Sequence, residues 1–165
     1  MFRQILAASA VLIACAAAPA LARDYVLLKI EDDSSKAIVM DYGSVATAHD
    51  NIRQSWILTV LQGDKVVDGV IRVRALWQYN CTTQRAAVRT VEQYTAPGAA
   101  PAAARTLDDS EMNWAAVNPG SIIADARDYT CGVRTPAPAA RVVGKDDDDL
   151  TAIYSNLYNL HQNPK

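Results

Sequence analysis

The stretch Val70–Cys81, VIRVRALWQYNC, decides how this chain is built. Ile71, Val73, Ala75, Trp77, Tyr79 and Cys81 fall on one side of its alternation. Arg72, Arg74, Gln78 and Asn80 fall on the other. Successive side chains of a strand point to opposite faces, so the pattern predicts a half-buried antiparallel strand. Its last inward position is a cysteine, which makes the strand both a core ridge and an anchor for something distant in sequence.

The cysteines say where that anchor leads. The chain carries three, and Cys15 sits in MFRQILAASAVLIACAAAPALA. There Arg3 precedes an apolar run, and Ala20-Leu21-Ala22 has the small-x-small form of a cleavage site. This is the pattern of a secretory signal peptide over residues 1–22, too short for a spanning helix. Leu12-Ile13-Ala14-Cys15 also has the form of a lipobox, whose processing would leave a lipid anchor at Cys15. Cleavage after Ala22 leaves Cys81 and Cys131, an even pair in an exported chain, and such a pair is read as a disulfide. Neither a C-x-x-C redox motif nor a metal-ligand spacing is present, and the imidazoles are limited to His49 and His161.

Outward from the opening strand, DYVLLKIE (24–31) reads as a first strand with turn chemistry at Asp32–Ser35. Ala37–Met40 reads as a short second strand, with a bend at Gly43-Ser44 before the polar stretch 47–53. SWILTVL (55–61) is apolar on both sides, as in a central strand, and Gln84–Tyr94 alternates as the next one. APGAAPAAAR (96–105) reads as a low-complexity loop. Ser121 is placed to cap a helix over Ile122–Tyr129, with Ile122, Ala126 and Tyr129 on one face and Gly132 ending it. Residues 133–149 then read as a Pro/Ala/Asp-rich linker. Leu150, Ile153, Tyr154, Leu157 and Tyr158 recur at helical spacing, so 150–161 reads as a short amphipathic helix with Asp146–Asp149 at the positive end of its dipole.

Sixteen basic and eighteen acidic residues nearly balance, and without a basic stripe nucleic acid is not an expected partner. No nucleophile elbow accompanies His49 and Asp50, so no catalytic residues are assigned. Asp146–Asp149 lacks the spaced ligands, Gly and closing Glu of a calcium loop, so no metal or cofactor is assigned. Asn80-Cys81-Thr82 matches a glycosylation sequon but lies beside the expected disulfide. If the strands around the Cys81–Thr83 turn pair as a hairpin, Arg72, Arg74, Arg85 and Arg89 share a sheet face as a positive patch for an anionic partner. An ordinary solvated face is the alternative. Trp56, Trp77 and Trp114 are expected to anchor the core.

These features together resemble the bacterial surface-adhesin protein E family: MDYGSV, SWILTVLQ, the strand end QYNC followed by TTQRAAV, and the closing Trp114, Val117, Pro119, Gly120, Ser121 and Cys131 in order. The resemblance spans Asp24 to Cys131. It implies an antiparallel sheet with a helix held against it by a disulfide, here Cys81 to Cys131. It also implies a surface or envelope location, binding to host extracellular-matrix proteins and dimer formation. The chain departs from the pattern in its soluble-type signal, its tail after Cys131 and its alanine-rich loop. The expected architecture is therefore α+β: a signal peptide (1–22), then a domain over 23–132. That domain holds a mostly antiparallel sheet of about five or six strands with one disulfide-tethered helix, and the tail follows. The expected role is that of a non-enzymatic protein of the periplasm or cell surface of a Gram-negative bacterium, binding a protein partner or a second copy through its sheet. A structural or accessory periplasmic protein without external ligand is the alternative.

Overall fold

The computed structural model describes residues 23–31 and 35–144. The signal peptide, the Asp32–Ser34 part of the first turn, Asp146–Asp149 and the helix expected at 150–161 lie outside the described residues. Among the described residues, eight strands form one antiparallel sheet: β1 (Arg23–Ile30), β2 (Lys36–His49), β3 (Ile52–Leu61), β4 (Arg72–Asn80), β5 (Arg85–Tyr94), β6 (Ala103–Thr106), β7 (Ala115–Ala116) and β8 (Arg141–Gly144). The order is β6-β5-β4-β3-β2-β1-β8, with β7 pairing β5 beside β6. A single α-helix among the described residues, α1 (Ile122–Thr130), packs on one face. The α+β class and the disulfide-held helix are as expected.

The sheet grows by its short strands. The alanine-rich stretch supplies β6 because its small side chains let it pair with Thr90–Gln93 of β5, where Thr90 and Thr106 hydroxyls meet at 3.1 Å. Inside the stretch read as linker, Arg141–Gly144 pairs with β1, and the Arg141 guanidinium forms an ion pair with Asp24 on that strand. Cross-strand ion pairing of this kind leaves no trace in hydrophobic periodicity.

β2 is longer than its apolar kernel. The bend expected at Gly43-Ser44 is a bulge within one strand, where pairing with β3 breaks between Asp41 and Ala46. Asp41 Oδ1 accepts from the Ser44 amide at 3.1 Å, and Ser44 Oγ donates to the Asp41 carbonyl at 2.6 Å. Ser44 Oγ in turn accepts from the Trp56 amide at 2.9 Å. One hydroxyl thus replaces the ladder bond that the extra residues remove. At the β4–β5 turn Asn80 Oδ1 accepts from the amides of Thr82 and Thr83 at 3.1 and 2.9 Å, and Gln84 takes the positive φ of 55°. An Asn side chain closing its own turn in this way explains the tight hairpin without a glycine.

Ser121 caps α1 as its sequence predicts, its hydroxyl accepting from the Ala124 amide. At the other end Gly132 takes φ 73°. Its amide donates to the Tyr129 carbonyl at 3.3 Å and the Val133 amide to the Asp128 carbonyl at 2.8 Å. These are the paired bonds of a Schellman ending, which a glycine in the left-handed region permits. The buried helix face is Ala124, Ala126 and Thr130. Ile123 packs into the core in the place expected of Ile122, with Tyr129 beside it.

Two apolar clusters lie on opposite faces of the sheet. Against α1 stand Val26, Met40, Ile57, Tyr79 and Ala86, flanked by Trp77 and Cys131. Tyr25, Val39 and Leu58 form the other cluster with Leu27, Ile30, Trp56 and Val60. Beside the helix the Thr130 hydroxyl donates to the Ala126 carbonyl at 2.7 Å and shares a 2.9 Å hydrogen bond with the Ser55 hydroxyl. Cys81, at the end of β4, bonds Cys131 with Cα atoms 5.7 Å apart, an ordinary span for a disulfide. The helix is held by a covalent bond at its last turn and a buried hydroxyl pair one residue earlier.

Two outcomes follow. Replacing both cysteines with serine releases a loop of separation 50 and should cost about 4 kcal/mol in denaturant unfolding; a loss under about 1 kcal/mol would contradict the tether's role. The second concerns Tyr79, whose hydroxyl is buried and makes no hydrogen bond among the described residues. Burial pushes its pKa far above 10.0, and the nearby Ser55 hydroxyl offsets only part of that. The folded state therefore keeps this proton where the unfolded state loses it. Stability is intact below the unfolded value and falls above it, by about 1.4 kcal/mol per pH unit. Tyr79→Phe should be neutral or slightly stabilising at pH 7 and should flatten the decline in denaturation midpoint above about pH 10. An unchanged alkaline slope would contradict the assignment.

Candidate binding face

The register of β3, β4 and β5 decides which side chains meet. Val60 and Tyr94 lie opposite Arg72, Leu58 and Glu92 opposite Arg74, and Trp56 opposite Leu76. All of these point away from α1, on the face that also carries Tyr25, Val39 and Leu58. Adjacent strands then place each arginine against an aromatic ring. The Arg72 guanidinium carbon lies 4.0 Å from the Tyr94 ring centroid, and that of Arg74 lies 4.1 Å from the Trp56 ring. Both fall well inside the range in which a ring face attracts a cation.

Glu92 links the two stacks. Its carboxylate accepts from the Tyr94 hydroxyl at 2.7 Å and lies 3.9 Å from an Arg74 nitrogen. Partial burial raises the Tyr94 pKa, and the hydrogen bond and charge of Glu92 raise it further, against a lowering by Arg74. Gln78 extends the row by donating to Gln54 at 3.3 Å. The result is a strip of alternating rings, guanidinium groups and amides along the middle of the sheet. Arg72 is only 6% exposed, so the strip is part of the packed surface rather than a fringe of solvated side chains.

The four arginines singled out by the sequence divide into two pairs. Arg72 and Arg74 build the strip. Arg85 falls on the same face by register, opposite Asn80, but donates to the Trp114 carbonyl. Arg89 sits at the bulge where β4–β5 pairing shifts, bonding Asp109 at 2.5 Å and meeting the Met112 sulfur at 3.5 Å. This second pair fastens the segment before β7 to β5. Sequence reasoning missed Tyr94 and the second role of Trp56, because each lies on a different strand from its arginine and only the register joins them. Trp56 is partly buried against one apolar cluster and Trp77 against the other. His49 and Asp50 are exposed at the β2–β3 turn. Among the described residues no group of three or more potential metal ligands converges, and no helix is long and apolar enough to cross a membrane.

A double-mutant cycle reads the strip directly. Trp56→Leu and Arg74→Met each keep an apolar stem while removing the ring face or the charge. Their unfolding free energies should show a coupling of about 1 kcal/mol. Additive effects would mean that the stacking contributes nothing beyond burial.

Among curated proteins, none matches the chain. The family model described as surface-adhesin protein E matches residues 26–132, a span that begins in β1, ends at the glycine closing α1 and takes in both cysteines and the whole arginine–aromatic strip. The chain belongs to the surface-adhesin protein E family.

Proposed function

We propose that this is an exported, non-enzymatic surface protein that binds another macromolecule through the arginine–aromatic face of its sheet. Family membership supports the adhesin role, and the signal-peptide pattern of residues 1–22 supports export. The observation that carries the choice of face is the pair of stacks, Arg72 on Tyr94 and Arg74 on Trp56.

Stacking holds a guanidinium in a fixed plane, and its N–H edges have the fork geometry that matches a carboxylate. The rings hold those edges in place at little conformational cost to the bound state, which is the property that concentrates binding energy in Trp, Tyr and Arg at protein interfaces. The opposite face is filled by α1, the disulfide and the Ser55–Thr130 pair. A partner docking there would have to displace a covalently held element.

The partners to try first are host extracellular-matrix proteins, the class that the family resemblance implies. The mature chain, immobilised with its disulfide intact, should bind one or more of them with an affinity that falls as salt rises. Arg72→Ala together with Arg74→Ala should weaken binding at least tenfold, which is about 1.4 kcal/mol. The Arg85→Ala change should alter it less. Unchanged affinity in the double variant, with a native fold confirmed by circular dichroism, would take the face out of the binding site.

A further inference from the structure

β6 is the last strand of the sheet on the β5 side, and among the described residues no strand pairs with its outer edge. Its residues, Ala103–Thr106, are all exposed. Pairing with β5 runs from Thr90↔Thr106 to Gln93↔Ala103, and the Leu107 amide donates to the Arg89 carbonyl at 2.8 Å. Backbone groups of an antiparallel strand turn alternately toward and away from its neighbour. Counted from Leu107, the amide and carbonyl of Arg105 turn toward β5, while those of Ala104 and Thr106 turn outward. Outward N–H and C=O groups at alternate positions are the template on which another extended chain adds itself.

We propose that the outer edge of β6 takes an extended segment of a protein partner as a further antiparallel strand, with an acidic side chain of that segment opposite Arg105. The charge in the middle of the edge selects the occupant. Outward bonds at Ala104 and Thr106 make Arg105 a non-hydrogen-bonded position toward the incoming strand, where opposing side chains stand closest. The Arg105 side chain is 74% exposed and that of Glu111, its partner at 3.2 Å, is 45% exposed. Such a solvated ion pair contributes little, so a carboxylate carried on the partner strand can replace Glu111. A second copy is a poor occupant. The symmetric register that uses both outward positions sets Arg105 against Arg105, and like charges directly across a strand pair are unfavourable.

The neighbouring residues suit the same occupant. Ala103 and Ala104 carry only methyl groups, so no bulky side chain obstructs an approaching backbone at that end of the edge. By register Ala104 lies opposite Glu92 and Thr106 opposite Thr90. Glu92 is in turn opposite Arg74, and Thr90 is opposite Leu76, so Ala104 and Thr106 belong to the arginine–aromatic side of the sheet. A strand added at β6 therefore extends that face by one strand, its main chain supplying affinity and its alternate side chains specificity. In its consequence the inference rests on the binding reading above, because the added strand would belong to the partner that the face engages. Whether the edge accepts a strand does not depend on that reading.

Amide NMR on the full mature chain, with its disulfide intact and no matrix protein present, tests the edge with synthetic peptides. The first probe is a capped peptide of alternating threonine and valine with one central glutamate. The second has lysine in place of the glutamate, and the third carries N-methyl groups on the two residues flanking it. The first peptide should move the amide signals of Ala104, Arg105 and Thr106, and at saturation those of Ala104 and Thr106 should exchange about tenfold more slowly. The lysine peptide should bind about fivefold more weakly, and the N-methylated peptide should leave the signals in place. Ala104→Pro removes an outward donor while sparing the bonds to β5, and should abolish the response. Arg105→Glu should reverse the preference in favour of the lysine peptide. Equal binding of the glutamate and lysine peptides, or still signals at Ala104–Thr106 under excess glutamate peptide, would overturn the proposal. So would movement of these signals with protein concentration alone, which would make a second copy the occupant. Failure of the Arg72 and Arg74 variants to alter capture of a matrix protein would count against the strip alone, since these titrations contain none.

Discussion

The Cys81–Cys131 bond and the buried Ser55–Thr130 hydroxyl pair hold one short helix against one side of the sheet, and the rest of the molecule follows from that choice of side. A nine-residue helix has little stability of its own. Its caps satisfy the terminal amides and carbonyls, and the sheet supplies an apolar bed. The disulfide then limits how far the last turn can move even when contacts loosen. Once that side is taken, alternation in β3, β4 and β5 commits the intervening residues to the other. Arg72 and Arg74 are driven there by the same period-two pattern that sends Trp77 and Tyr79 to the helix.

Two arginines on a packed surface are expensive to desolvate without partners. The sheet resolves this by register. Tyr94 and Trp56 are placed by neighbouring strands so that each guanidinium lies flat on a ring, and Glu92 supplies a carboxylate between them. The arrangement keeps charge on the face while removing most of its freedom. For a protein of an adhesin family this is a useful combination, because rigid aromatic and guanidinium groups lose little entropy when a partner arrives. Arg85 and Arg89 are used differently. They pin the segment ahead of β7.

Much of this was legible in the chain, and the reasons for success and failure are physical. The central strands, the Ser121 cap, the Gly132 ending and the cysteine pair each depend on residues close in sequence or on a count, and all were readable. What depends on pairing between distant short segments was not. β8 lies inside a proline- and alanine-rich stretch that reads as a linker, and it is identified by Asp24, more than a hundred residues upstream. β6 is alanine-rich because it lies at an exposed edge, where bulk is not needed. The bulge at Asp41–Ala46 looked like a strand end because Gly43 and Ser44 carry turn chemistry, whereas Ser44 restores the ladder bond from within. The strip needed both a sequence signal and a register: four arginines stood out, but which of them meet aromatic rings is set by the pairing of three strands.

The central claim is that the side of the sheet away from the helix is the one that meets other molecules. It is tested most directly by recording amide and indole chemical shifts of the oxidised, full mature chain while a binding matrix protein is titrated in. The account predicts that perturbations gather on Trp56, Arg72, Arg74, Glu92 and Tyr94, with Ala124, Ala126 and Thr130 left where they were. A pattern centred on α1 and the residues flanking Cys131 would contradict it.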